Sequence, residues 1–130
     1  MRTGRCHCGA IRYQMPDAAA YISICHCVDC RRHAGAPMVA WATVPADCLT
    51  IQGAPVTYAS SGQGRRQFCA QCGTGLFYTN AAAMPGLVDV QTCTLDQPED
   101  LPPHVQIHTS ERLPWTPGIG ALPEFPHSQT

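Results

Sequence analysis

Apolar positions in this chain come in short runs, and proline or glycine closes nearly every one of them. The runs predict strands at Ala10–Gln14, Tyr21–Ile24, Met38–Val44, Cys48–Ile51, Val56–Tyr58, Arg66–Phe68, Leu76–Thr79, Leu87–Leu95 and His104–Thr109. MVAWATV is apolar throughout and reads as a strand covered on both faces. LVDVQTCTL and HVQIHT alternate, so each should bury one face. On the second of these, His104, Gln106 and His108 share the outward side. With 12 Pro and 11 Gly in 130 residues, no long helix fits between the breaks. One helical turn is expected over Val28–His33, stopped by Gly35 and Pro37. Beyond Leu113, four prolines predict an irregular tail anchored by Trp115. The pattern predicts one all-β domain over residues 1–130, with its core at about 4–117 and a Pro-rich tail at 118–130.

Composition narrows the function. Charged residues are 13% of the chain, about half the usual share of roughly 25%, and the formal net charge is -1. All eight basic residues are Arg and none is clustered into a large patch, which argues against a nucleic-acid or anionic-membrane binder. MRTGRCHCGA lacks the apolar core of an export signal, so a reducing cytoplasmic setting is expected. There the 9 cysteines, an odd number, are not a disulfide framework. Metal binding is the remaining reading.

Seven of the cysteines fall into three groups: Cys6 and Cys8; Cys25, Cys27 and Cys30; Cys69 and Cys72. The C-x-x-C-G run at Cys69–Gly73 sits between two strand candidates, where two thiolates converge on one metal and Gly73 accepts the left-handed backbone beyond. The C-x-C-G run at Cys6–Gly9 supplies a second pair, and the two pairs make a closed tetrahedral zinc site. Cys25, Cys27 and Cys30 then form a three-thiolate set with an open position, the pattern of a catalytic zinc. Two alternatives stay open at this stage. His33 or His26 could complete the second site as a purely structural one, or the clusters could pair differently. Cys48 and Cys93 read as small buried hydrophobes.

These motifs resemble the family of glutathione-dependent formaldehyde-activating enzymes, which also includes centromere protein V. The resemblance rests on Gly4-Arg5-Cys6-His7-Cys8-Gly9, on Cys25 through Arg31, on Gly35-Ala36-Pro37, on Phe68 through Gly73, and on a late His and Trp region from His104 to Trp115. It implies a small β-tent fold of short antiparallel sheets around a zinc-ribbon-like centre. It also implies two zincs per chain, one structural on Cys6, Cys8, Cys69 and Cys72 and one catalytic on Cys25, Cys27 and Cys30, the second open to partial occupancy. The implied reaction is addition of glutathione to formaldehyde, giving S-hydroxymethylglutathione, a carbon–sulfur lyase activity.

A thiol entering the open position would be held as thiolate beside an aldehyde. Asp29 and His26 are the nearest proton carriers, with capping of the short turn the simpler role for Asp29. Glutathione brings two carboxylates, and Arg31 and Arg32 are the chosen candidates to receive them, with Arg65 and Arg66 also flanking the clusters. The competing function is a non-catalytic thiol-binding or interaction module with both zincs structural. A nucleic-acid-binding ribbon fits the charge poorly. A methionine sulfoxide reductase would need two C-x-x-C pairs and a separate nucleophilic cysteine, which Cys48 and Cys93 are not placed to supply.

Overall fold

The computed structural model describes residues 1–129, and the chain is all-β. The strands are β1 (Arg2–Arg5), β2 (Arg12–Met15), β3 (Tyr21–Cys25), β4 (Val39–Pro45), β5 (Thr50–Gln52), β6 (Val56–Ser61), β7 (Gly64–Phe68), β8 (Gly75–Asn80), β9 (Leu87–Gln91) and β10 (Val105–Ile107). One helix, α1 (Val28–Ala34), follows β3, and the other helical pieces are 3-10 turns. Strands β1, β2 and β5 make a small antiparallel sheet in the order β1-β2-β5. The other seven form a sheet in the order β10-β3-β4-β9-β8-β7-β6, antiparallel except for the parallel pair β10–β3.

Period-two alternation explains how the large sheet serves two purposes. Ala42 and Val44 of β4, Phe77 of β8, and Val88 and Val90 of β9 pack with Tyr13 and Met15 of β2 into the main core. Val39 and Trp41 of β4 and Tyr78 of β8 turn to the opposite face, where they meet Cys25 and Cys30 in a second apolar cluster. The apolar run Met38–Val44 is thus covered on both faces, as its composition predicts. Tyr13 stacks edge-on against Phe77, 5.2 Å between centroids, and its hydroxyl bonds Thr94 Oγ1 at 2.7 Å.

Several expectations need correction. β1 was not anticipated, because Arg2–Arg5 carries no apolar alternation; its one buried residue is Gly4. The strand expected over Leu87–Leu95 stops at Gln91, and Thr92–Thr94 continue as a 3-10 turn that buries Thr92 instead. Cys48 and Cys93 are exposed rather than buried, each lying on such a turn. Trp115 does not anchor the tail: it is 56% exposed, and Thr116 is the residue turned inward, its hydroxyl bonding Leu113 O at 2.9 Å. Among the described residues no helix is long and apolar enough to cross a membrane.

Candidate metal centres and the cavity beside them

Two tight turns build the first centre in the same way. Gly9 N–H donates to Cys6 O at 3.1 Å, Gly73 N–H donates to Cys69 O at 2.9 Å, and both glycines are left-handed, with φ of 83° and 82°. Each turn therefore presents its two sulfurs on one side. Sγ of Cys6, Cys8, Cys69 and Cys72 lie within 4.8 Å of one another, with Cys6–Cys8 at 3.7 Å and Cys8–Cys69 at 3.8 Å. A tetrahedron with metal–sulfur bonds of about 2.3 Å has edges of about 3.8 Å. The donor set therefore fits a four-coordinate zinc. Ile11 N–H donates to Cys6 Sγ at 3.2 Å and Gln71 N–H to Cys69 Sγ at 3.4 Å. Against its burial, the Ile11 bond holds the Cys6 thiol down. Cys72 is held down at about 5, first by the Thr74 hydroxyl and then by backbone donors.

The second group sits where β3 runs into α1. Cys25 ends the strand, Cys27 caps the helix by accepting from Cys30 N–H at 3.3 Å, and Cys30 lies one turn in. Their Sγ atoms are also mutually within 4.8 Å. The cap taken by Cys27 leaves Asp29 exposed in the first turn, so Asp29 does not cap. Neither histidine joins the sulfurs. His33 stacks on Tyr58, rings 7° from parallel, and meets Phe68 edge-on. His26 is 1% exposed and points the other way, its Nε2 on Gln106 Oε1 at 2.8 Å. No fourth His, Cys, Asp or Glu ligand joins the three sulfurs among the described residues.

A cavity of about 420 Å³ opens beside this trio, bounded by Trp41, Ile107, His108 and Glu111 as well as by the cysteines. Strand register lays a row of side chains across the sheet here, of which Arg66, Tyr78 and Asp89 line the cavity. Arg66 of β7 pairs directly with Tyr78 of β8, Tyr78 with Asp89 of β9, and Asp89 with Thr43 of β4. Directly opposite residues project from the same face, so cation, phenol, carboxylate and hydroxyl follow one another across four strands. The Arg66 guanidinium lies 4.8 Å over the Tyr78 ring and reaches Cys30 Sγ with Nη1 at 3.7 Å and Nη2 at 3.8 Å. Asn80 Nδ2 donates to Tyr78 Oη at 3.1 Å, and Thr43 Oγ1 donates to Asp89 Oδ1. Burial pushes the Asp89 carboxyl up, against the Thr43 bond and with the Cys30 charge adding. Cys30 is held down at about 5, first by the bond from Cys25, with Cys27 and Arg66 contributing.

Arg31 and Arg32 are not in the cavity wall. Arg31 donates from Nε to His26 O and from Nη2 to Glu111 O, both at 3.3 Å, while Arg32 is exposed on α1. Arg65 is spent on Gly62 O and Gly64 O. Tyr78, Asn80 and Asp89 drew no attention in the sequence. The usable signal was the hairpin across Cys69–Cys72, whose pairing carries Tyr78 to Arg66.

This combination of sheets, one closed four-sulfur group and one three-sulfur group facing a cavity defines a small all-β protein equipped to bind two metal ions. The pattern of the glutathione-dependent formaldehyde-activating enzyme family matches residues 1–111, and the chain belongs to that family. An uncharacterized lyase of Schizosaccharomyces pombe is 29% identical over 110 residues, covering 74% of this chain and 80% of the relative. A Halomonas elongata protein with the provisional name glutathione-dependent formaldehyde-activating enzyme is 31% identical over 115 residues, covering 81% and 71%. A crystallographically solved Rhodobacter sphaeroides protein is similar in fold, with a TM-score of 0.63 and 26% identity over 80% of this chain and 98% of that one.

Proposed function

We propose that this protein is a zinc-dependent, lyase-type enzyme that joins glutathione to formaldehyde as S-hydroxymethylglutathione and releases it in reverse. The observation that carries this reading is the three-thiolate group opening onto a cavity with no fourth protein ligand among the described residues. A zinc held by Cys25, Cys27 and Cys30 supplies a coordination position for a substrate thiol and favours its thiolate form. In the addition the sulfur–carbon bond forms, the carbonyl π pair moves to oxygen, and the thiol proton ends on that oxygen.

The chain's own groups supply the rest. Tyr78 Oη accepts from Asn80 Nδ2, which leaves its O–H free to donate to an oxygen in the cavity. His108 lines the same cavity with Nδ1 4.0 Å from Glu111 Oε2, a pair suited to carrying a proton to or from solvent. Trp41 and Ile107 give the wall an apolar stretch that limits water beside the sulfurs. As carboxylate anchors, Arg31 and Arg32 would act outside the cavity wall, and Arg32 is the better placed, since Arg31 already holds two carbonyls.

Cys27→Ser tests the reading against a module with two structural metals. Metal analysis should fall from two equivalents to one, the far-UV spectrum should persist, and adduct formation followed by 13C NMR of labelled formaldehyde should fall to the uncatalysed rate. A Cys27→Ser protein that unfolds, or one that keeps full turnover, refutes the enzyme reading.

A further inference from the structure

Arg66 is a buried cation without a carboxylate. Its side chain is 6% exposed, and no Asp or Glu among the described residues pairs with it. A guanidinium stays protonated throughout the range in which proteins fold, so its charge cannot be shed by burial. A buried charge persists only where something answers it. The Tyr78 ring face answers part, and the group within reach that metal binding would make anionic is Cys30 Sγ. Among the described residues no guanidinium donates to a sulfur of the closed centre, where Arg5 Nη1 donates to His7 O instead and the sulfurs accept from backbone N–H groups and sit beside the Thr74 hydroxyl.

The charge count then bears on ligand choice. Three thiolates around a divalent ion sum to one net negative charge, and a fourth thiolate would make it two. The ionisable groups around the opening are mainly acidic, with Asp29, Asp89 and Glu111 against His108, and Arg66 is the one arginine in the wall. Without Arg66, this cavity would favour a neutral fourth ligand over an anionic one. With Arg66 in contact with Cys30, the loaded centre is neutral as a unit and an entering thiolate takes it only to one negative charge.

We propose that Arg66 is a positioning residue that acts through Cys30, setting the charge of the three-thiolate centre so that its open position selects an anionic sulfur ligand over a neutral one. The proposal rests on the reading of Cys25, Cys27 and Cys30 as an open metal centre, and it concerns ligand choice there.

Cobalt(II) substitution tests it without turnover. The full chain is loaded with cobalt, and the sulfur-to-cobalt charge-transfer bands are followed during separate titrations with 2-mercaptoethanol and with imidazole. In Arg66→Met the dissociation constant for the thiol should rise about tenfold or more, the scale of a lost hydrogen bond to a charged group. Imidazole binding, or its absence, should stay within about threefold of wild type, a change worth under 1 kcal/mol. Arg66→Lys keeps the charge without the fork and should hold thiol affinity within about threefold, which also serves if Arg66→Met folds poorly. Equal losses for thiol and imidazole, no loss for the thiol, or a loss in Arg66→Lys as large as in Arg66→Met each overturn the proposal alone. Wild-type protein that takes up no second cobalt, or whose bands ignore the thiol, overturns the open-centre reading and the proposal with it.

Discussion

Gly4 stands directly opposite Tyr13 in the β1–β2 ladder, and the Tyr13 side chain folds across it. A β-carbon added at Gly4 would lie 2.7 Å from Tyr13 Cε1 and closer still to Cζ and Oη, where ordinary contact begins at 3.4 Å. In Gly4→Ala the ring must therefore shift by more than half an ångström at its nearest atoms. Moving disturbs a tight seat: Tyr13 is 2% exposed, packs edge-on against Phe77 and bonds Thr94. Overpacking of this kind costs about 1–3 kcal/mol, and losing the Thr94 bond adds about 1, giving about 2–4 kcal/mol in all. At roughly 4 °C per kcal/mol for a chain of this size, Tm should fall by about 8–16 °C. Urea unfolding of metal-loaded protein measures the loss. The mechanism also demands non-additivity: in the double variant with Tyr13→Leu, the alanine methyl enters space the ring has left, so the two effects should couple by about 1 kcal/mol or more. A Gly4→Ala protein within about 0.5 kcal/mol of wild type, or a strictly additive double variant, would refute the close-approach argument.

Burial holds the Tyr13 hydroxyl in its protonated form despite the Thr94 bond, with Asp96 adding, so its folded pKa lies above the unfolded value of about 10. Its contribution is complete below about pH 10 and is lost as pH rises beyond that, at up to about 1.4 kcal/mol per pH unit; Tyr13→Phe should flatten this alkaline limb, and an unchanged slope would exclude Tyr13 as its source. Gln106 is exposed, yet among the described residues its Oε1 is the one hydrogen-bond partner of the buried His26 imidazole, whose Nδ1 has none. Gln106→Leu should therefore cost about 1–3 kcal/mol in denaturant midpoint analysis, a core-sized penalty from a surface position, and a neutral result would mean that water replaces the amide. Graded chelation should remove one metal equivalent while the far-UV spectrum holds and the second only with unfolding, because three protein ligands hold less tightly than four; simultaneous release would count against two unlike centres.

The fold class and both sulfur groups were legible because their signals are local. The C-x-x-C-G and C-x-C-G turns are short enough for spacing and glycine to dictate where the sulfurs point, and the apolar run Met38–Val44 declares its two covered faces in composition alone. What escaped depends on pairing. β1 exists because Tyr13 covers a glycine, which leaves no apolar trace in Arg2–Arg5 itself. The row Arg66, Tyr78, Asp89 and Thr43 is assembled by the registers of three separate strand pairs, and none of these residues stands near another in the chain. Arg31 and Arg32 drew attention by adjacency to Cys30, but one helical turn directs Arg31 back to the carbonyl of His26. Cys48 and Cys93 illustrate a limit of residue type: free cysteine is commonly buried, yet a 3-10 turn at the end of a strand exposes it regardless.

Strand β7 carries Arg66 to one centre, and the next residue after its end, Cys69, belongs to the other. The two centres thus share a single strut. Cys25, Cys27 and Cys30 occupy one short segment, and the cation that reaches Cys30 Sγ follows only at residue 66. The same strand brings Cys69 within reach of Cys6 and Cys8. Synthesis therefore completes the three-sulfur segment before the cation that contacts it, and the four-sulfur group only after both.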